Sequence, residues 1–300
     1  MTLRDVVHRV VSLIAEGAHL EPEVRADAAR EGRLLVAGVL QLSPGELAQR
    51  MVVAPALRPG EADRIEGALH RRLRGEPLAY AVGEAPFRDL VLQVDRRVLI
   101  PRPETEIVVE EALRVAAGMP GGVAADIGTG SGAIALALAT EGRFDLVIAT
   151  DVSVDALTVA QENAERLQQQ GTAMAPLEFL HGADLAPLAS RGTGGELARV
   201  IVSNPPYIAY EEAELLPPSV RDWEPPLALF AADGGLARYA VLVQGARACL
   251  EPGGWLVLEL DANRAAPVAA MATAAGYEAV QVRQDLAGRD RVLLARTPPE

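Results

Sequence analysis

The sequence predicts an α/β protein: a doubly wound, mostly parallel sheet of seven strands behind a small N-terminal helical bundle, the two joined by a β-hairpin linker. Three observations lead there. From Val123 onward, short apolar runs alternate with helical patterns. Residues 1–75 carry helical periodicity only. A glycine-rich turn joins the first strand of the alternating region to its first helix.

The expected order is a bundle over 1–75, a linker over 76–104 and a larger domain over 105–300. In "LRDVVHRVVSLIAEG" the residues Val6, Val7, Val10, Val11 and Ile14 share one helical stripe. "VRADAAREGRLLVAGVLQL" repeats the pattern, and "SPGELAQRMV" opens on an N-cap Ser43 with Pro44 at the first helical position. "PGEADRIEGALHRRLRG" is a further amphipathic helix, ending at Gly75. "FRDLVLQVDRRVLI" alternates as a hairpin does. "PRPETE" ends the hairpin, and a helix from about Thr105 to Ala117 follows. The strands are "VAADIG", "LVIATDV", "LEFLHG", "RVIVSN", "WLVLEL", "AVQVRQD" and "RVLLART". Only "LAGRD" separates the last two, so they pair antiparallel. The chain has no internal repeat, and its one low-complexity stretch is "RGTGGE" at 191–196.

Composition bounds the function. Half of the 300 residues are hydrophobic, enough for a sizeable core. No apolar run reaches the roughly 18 residues of a membrane span, and the charged N-terminus does not read as a signal peptide. A single cysteine, Cys249, excludes an internal disulfide. His8, His19, His70 and His181 lack metal-ligand spacing, so no metal is expected. These features fit a soluble cytoplasmic protein, and a monomer is expected. The net charge is −13, and the acids concentrate after residue 75, with 31 against 17 arginines. An acidic body repels a phosphate backbone, which disfavours nucleic acid as partner.

The glycine turn is "DIGTGSGAIALALA". Gly128, Thr129, Gly130, Ser131 and Gly132 allow close approach of a ligand to the backbone. Asp151 ends the next strand, 23 residues after Gly128, where an acid accepts from both ribose hydroxyls. Dinucleotide folds share that arrangement. The G-x-G-x-G spacing, and Asp126 ahead of it to face a positive amino-acid end, favour S-adenosylmethionine. After the third strand, Asp184 is placed to accept from the adenine amine and Leu185 to lie against the base.

"SNPPY" ends the fourth strand, which neighbours the first, so it sits at the cleft where such sheets bind ligands. Prolines cannot continue a ladder. Asn204, Pro205, Pro206 and Tyr207 instead make a clamp for a planar amino group. The Asn204 side-chain oxygen accepts one N–H and the Pro205 carbonyl the other, while Tyr207 offers a face for a flat substrate. An amide nitrogen or the adenine amine would suit the clamp equally.

These motifs resemble the HemK/PrmC protein methyltransferases. The likeness runs through "RRLRGEPLAYAVGEAPF", "VLIPRPETE", "DIGTGSGAIALALA", "SNPPYI", "EPPLALFAADGGL" and "GRDRVLLAR", in that order. It implies a class I S-adenosylmethionine-dependent, Rossmann-like methyltransferase. The implied reaction methylates the glutamine side-chain nitrogen in the Gly-Gly-Gln motif of class-1 peptide chain release factors, leaving S-adenosylhomocysteine. It implies cofactor contacts at Gly128 to Gly132, Asp151, Leu185 and Asn204, and substrate contacts from Asn204 to Tyr207. The helical N-terminal part is then the docking module for the partner. The rival readings are an adenine-amine methyltransferase on DNA or RNA, and an inactive cofactor-binding scaffold. Arg102 and Glu104 in "PRPETE" read either as a gate for substrate or lid, or as a salt-bridged hinge.

Overall fold

A computed structural model describes residues 2–190 and 197–299. The expected Gly-rich stretch at 191–196 lies outside the described residues. The chain divides into two compact units. One comprises Met1–Glu84 together with Glu214–Glu224; the other comprises Ala85–Ala213 and Pro225–Glu300. The division falls nine residues beyond the 75/76 boundary read from the sequence, and the helical unit gains a segment from far along the chain.

The helical unit contains helices Leu3–Ala15, Pro22–Ala26, Ala28–Val39, Pro44–Val53, Glu61–Leu73 and Leu78–Val82. The stripe Val6, Val7, Val10 and Ile14 is buried with Leu35, Val36, Leu47, Ile65 and Leu69. Each such side chain contributes roughly 1.5–3 kcal/mol on burial. Ser43 caps its helix through a reciprocal pair with Glu46, with Pro44 at the first position. The single helix expected across 24–42 is broken at Asp27, whose backbone (φ −107°, ψ 33°) leaves the helical range.

A hairpin follows, β1 (Glu84–Phe87) and β2 (Leu90–Gln93). The helix Pro103–Ala116 follows, two residues earlier than expected. "PRPETE" therefore opens the helix as well as following the hairpin. Arg102 is extended at the N-cap, Pro103 takes the first helical position and Glu104 lies in the first turn.

Then come β3 (Val123–Ile127), β4 (Leu146–Asp151), β5 (Leu177–His181), β6 (Ala198–Ser203), β7 (Ile208–Ala209), β8 (Phe230–Ala231), β9 (Leu250–Glu259), β10 (Glu278–Gln284) and β11 (Asp290–Arg296). Seven of them form one sheet in the order β10-β11-β9-β6-β3-β4-β5. Strands β5, β4, β3, β6 and β9 are parallel, and β11 runs antiparallel to both β9 and β10. Alternate residues of the central strands serve opposite faces. Ala124, Val147, Val200 and Val202 join one core with helices Pro103–Ala116 and Ala133–Glu141. Val123, Ala125, Ile148 and Ile201 join the other, with helices Ala237–Ala246 and Ala265–Ala274. Helices on both faces account for the near-continuous apolar runs of these strands.

Candidate active site

The strand order places the carboxyl ends of β3 and β6 side by side. The Ser203 hydroxyl, at the end of β6, donates to the Ile127 carbonyl at 2.6 Å and locks the two ends together. A cleft opens there, within the second unit. Of the residues expected to form the site, Gly128, Thr129, Gly130, Ser131, Asp151, Asp184, Asn204, Pro205 and Pro206 line it.

The glycine loop is held from two sides. The N–H groups of Gly128 and Thr129 donate to the Thr150 carbonyl at 2.9 and 2.8 Å. Gly130 N–H donates to Asp151 Oδ2 at 2.9 Å, and Ser153 N–H donates to Asp151 Oδ1 at 2.9 Å. Gly128 and Gly130 have φ of 77° and 56°, and a Cβ on either would meet no atom within 4 Å. Gly132 does not reach the cleft; a Cβ there would press on Leu136 and Ala160, so it serves helix packing.

Asp126 does not face the cleft. It is fully buried, and its Oδ2 accepts from the Thr129 hydroxyl at 2.7 Å and from Ala135 N–H at 3.1 Å. It thus ties the loop to the start of the following helix. Burial pushes its carboxyl up to about 7, against the lowering effect of those two bonds, and the Asp151 charge adds to the rise.

Two expected contacts are placed elsewhere. Leu185 is buried in the core, against Gly245. Leu242 lines the cleft, where Leu185 was expected to lie against the base. The turn is made at Asp184, whose φ is 48°, and the apolar side chain after it goes to the core. Tyr207 packs its ring against the same core and is not on the cleft wall. Burial, then the neighbouring Glu259, pushes its hydroxyl well above the usual range.

Several wall residues escaped the sequence reading. Arg238 donates to both Asp184 oxygens, at 2.9 and 3.2 Å, and lines the cleft. Thr105 lines it too. The Asn204 side-chain nitrogen donates to the Thr105 hydroxyl at 3.2 Å, and that hydroxyl donates to Glu259 Oε2 at 2.6 Å. Thr105 and Glu259 are both buried. The available signal was an acid, Glu259, interrupting the otherwise apolar "WLVLEL". Arg102 lines the cleft, whereas Glu104 does not. Gly235, at φ 87°, lies where a Cβ would collide with the Tyr207 carbonyl and with Arg264 Nε. The backbone after Pro206 is confined there, and β7 pairs with β8 just beyond it.

The residues present fit S-adenosylmethionine. Asp151 keeps a second lone pair on each oxygen for ribose hydroxyls. The glycines leave open space that side chains would fill. Fold and site together define a Rossmann-like, S-adenosylmethionine-dependent methyltransferase.

Known proteins narrow this. The model of the PrmC N-terminal domain matches residues 17–83, and that of the methyltransferase small domain matches residues 105–216. The release factor glutamine methyltransferase of Cereibacter sphaeroides is 41% identical over 272 residues, covering 91% of this chain and 92% of that protein. The protein of the same name from Moorella thermoacetica is 40% identical over 296 residues, covering 98% of each. A methyltransferase structure from Pyrococcus furiosus superposes with a TM-score of 0.50 at 22% identity, over 70% of this chain and 89% of that one; it bears on the fold alone. The chain belongs to the release factor glutamine methyltransferase family.

Proposed function

We propose that the protein transfers a methyl group from S-adenosylmethionine to the side-chain nitrogen of the glutamine in the Gly-Gly-Gln motif of class-1 release factors. The observation that carries this reading is the Asn204 amide on the cleft wall, its nitrogen engaged by Thr105 and its oxygen left for an incoming N–H.

When bound, S-adenosylmethionine supplies an electrophilic methyl group on a positively charged sulfur. Asp151 and the loop Gly128–Ser131 would hold its ribose and amino-acid parts, and the Asp184–Arg238 pair on the cleft wall would border its base. A glutamine amide nitrogen is a poor nucleophile, because its lone pair is delocalised into the carbonyl. As it attacks, it gains positive charge and becomes tetrahedral. Asn204 Oδ1 and the Pro205 carbonyl each accept one of its N–H groups. Two fixed acceptors stabilise that change more than they stabilise the ground state. Positioning supplies much of the remainder. The proton leaves after transfer, so no strong general base is required.

The helical unit, which has no chemistry of its own, is the docking module. We place the reaction in the cytoplasm, with S-adenosylhomocysteine as product and one copy of the chain as the working unit. The test offers labelled S-adenosylmethionine with a release factor, a ribosomal protein and DNA in parallel. Label on the release factor glutamine supports the reading, and label only on DNA or the ribosomal protein overturns it.

A further inference from the structure

Asn204 follows Ser203, and Glu259 follows Leu258; Ser203 and Leu258 are the last register partners of β6 and β9. The two side chains are thus brought together at one end of the sheet, and Thr105 bridges them from the first turn of its helix.

A side-chain amide has a donor end and an acceptor end of nearly equal shape. Only the acceptor end serves the N–H of an incoming amide; the other end would oppose it. The Thr105 hydroxyl decides between them, because it has a single hydrogen. That hydrogen is directed to Glu259 Oε2 over 2.6 Å, the length of a charge-assisted bond. Only lone pairs remain toward Asn204, and they accept its nitrogen at 3.2 Å. Reversing the amide would set oxygen against oxygen.

We infer that Thr105 and Glu259 are positioning residues that set the polarity of the Asn204 amide, so that its oxygen meets the substrate nitrogen. This rests on the reading of Asn204 as the acceptor in methyl transfer.

The arrangement depends on an ionised Glu259. A protonated Glu259 donates to Thr105, frees the Thr105 hydrogen for Asn204 Oδ1, and the preference is lost. Burial pushes the Glu259 carboxyl up to about 7; the Thr105 bond lowers it, Glu104 raises it, and Arg291 and Arg102 lower it. Tyr207 and Tyr239 also face it, the latter donating to its backbone carbonyl at 2.9 Å. The polarity therefore sharpens as pH rises through neutrality.

The test has one arm without turnover and one with it. In the full-length protein, the Asn204 side-chain nitrogen resonance should move with an apparent pKa of about 7. In Glu259→Gln that movement should vanish. Thr105→Val should lower the single-turnover rate on a release factor at least about tenfold, with partner affinity unchanged. Thr105→Ser, which keeps the hydroxyl, should return it to within about threefold of the parent. A parent that never methylates a release factor would refute the functional reading, while the resonance would still decide the polarity. The inference is overturned if the resonance stays still between about pH 5 and 9, if it still moves in Glu259→Gln, or if Thr105→Ser is as slow as Thr105→Val.

Discussion

Asp151 Oδ2 accepts the N–H of Gly130 at 2.9 Å, so the acid that ends one strand also holds the loop that leaves its neighbour. Asp151→Ala should therefore weaken S-adenosylmethionine twice over, through lost acceptors and a looser loop. Losing hydrogen bonds to a charged acceptor costs about 1.5–3 kcal/mol, roughly ten- to a hundredfold in affinity. Asp151→Asn should fall between, since its single amide oxygen keeps part of the acceptor set. Calorimetric titration checks this; an unchanged dissociation constant for Asp151→Ala would remove the residue from the cofactor site.

Asn204→Ala should slow turnover far more than it weakens the release factor. An interaction that grows as the nitrogen becomes tetrahedral shows in the rate, not in the affinity. The expected loss is on the order of a hundred- to a thousandfold, by analogy with removing one oxyanion-hole donor. Tyr207→Phe should do much less, because the ring packs against the core and only its hydroxyl is lost. Single-turnover rates and partner affinities decide it. A rate for Asn204→Ala within about threefold of the parent, or a slower Tyr207→Phe, would count against the clamp.

Gly235→Ala should damage the site without touching it. At φ 87° a side chain is strained, and its Cβ meets the Tyr207 carbonyl and Arg264 Nε. The carbonyl belongs to the backbone that carries Asn204 to Pro206, so relief must move the clamp. Stability should fall by about 1–3 kcal/mol, and methyl transfer should drop sharply while the cofactor still binds. Denaturant midpoints and cofactor titration separate these; full activity would show that the clamp tolerates the shift.

Asp126 should make the protein less stable as pH rises. Its folded pKa of about 7 lies above its ordinary 3.8, so between those values the folded state holds a proton that the unfolded state has released. The unfolded state binds fewer protons there, and stability falls with rising pH across that window. Each unit of displacement is worth roughly 1.4 kcal/mol. Asp126→Asn should flatten the fall. Urea midpoints at about pH 4.5 and 7.5 measure it; parallel profiles for parent and variant would refute it.

Removing residues 1–84 should leave cofactor binding nearly intact and abolish methylation of a whole release factor. The helical unit also includes Glu214–Glu224, where Ser219 N–H donates to the Glu21 carboxylate at 3.2 Å. The truncated chain should therefore become sensitive to protease within 214–224. Normal turnover on the whole factor would refute the docking role.

Features written in contiguous residues were legible from the sequence alone. Strand–helix alternation, the Ser43 cap, the glycine turn with its downstream acid, and Asn204 at a strand end all rest on short spacings and local backbone preferences. The expectation that the fourth strand of such a sheet neighbours the first holds for β6 and β3. Tertiary structure alone decided how side chains point and pair. Leu185 went into the core and Tyr207 against it because apolar surface is driven from water wherever the packing offers space, and their neighbours in sequence do not reveal that space. Thr105 lies 99 residues from Asn204 and 154 from Glu259, so the bonds that orient the clamp have no local signature. The segment 214–224 joined the helical unit for the same reason: such a contact is set by the folded path of the chain, and no periodicity along it records the partner.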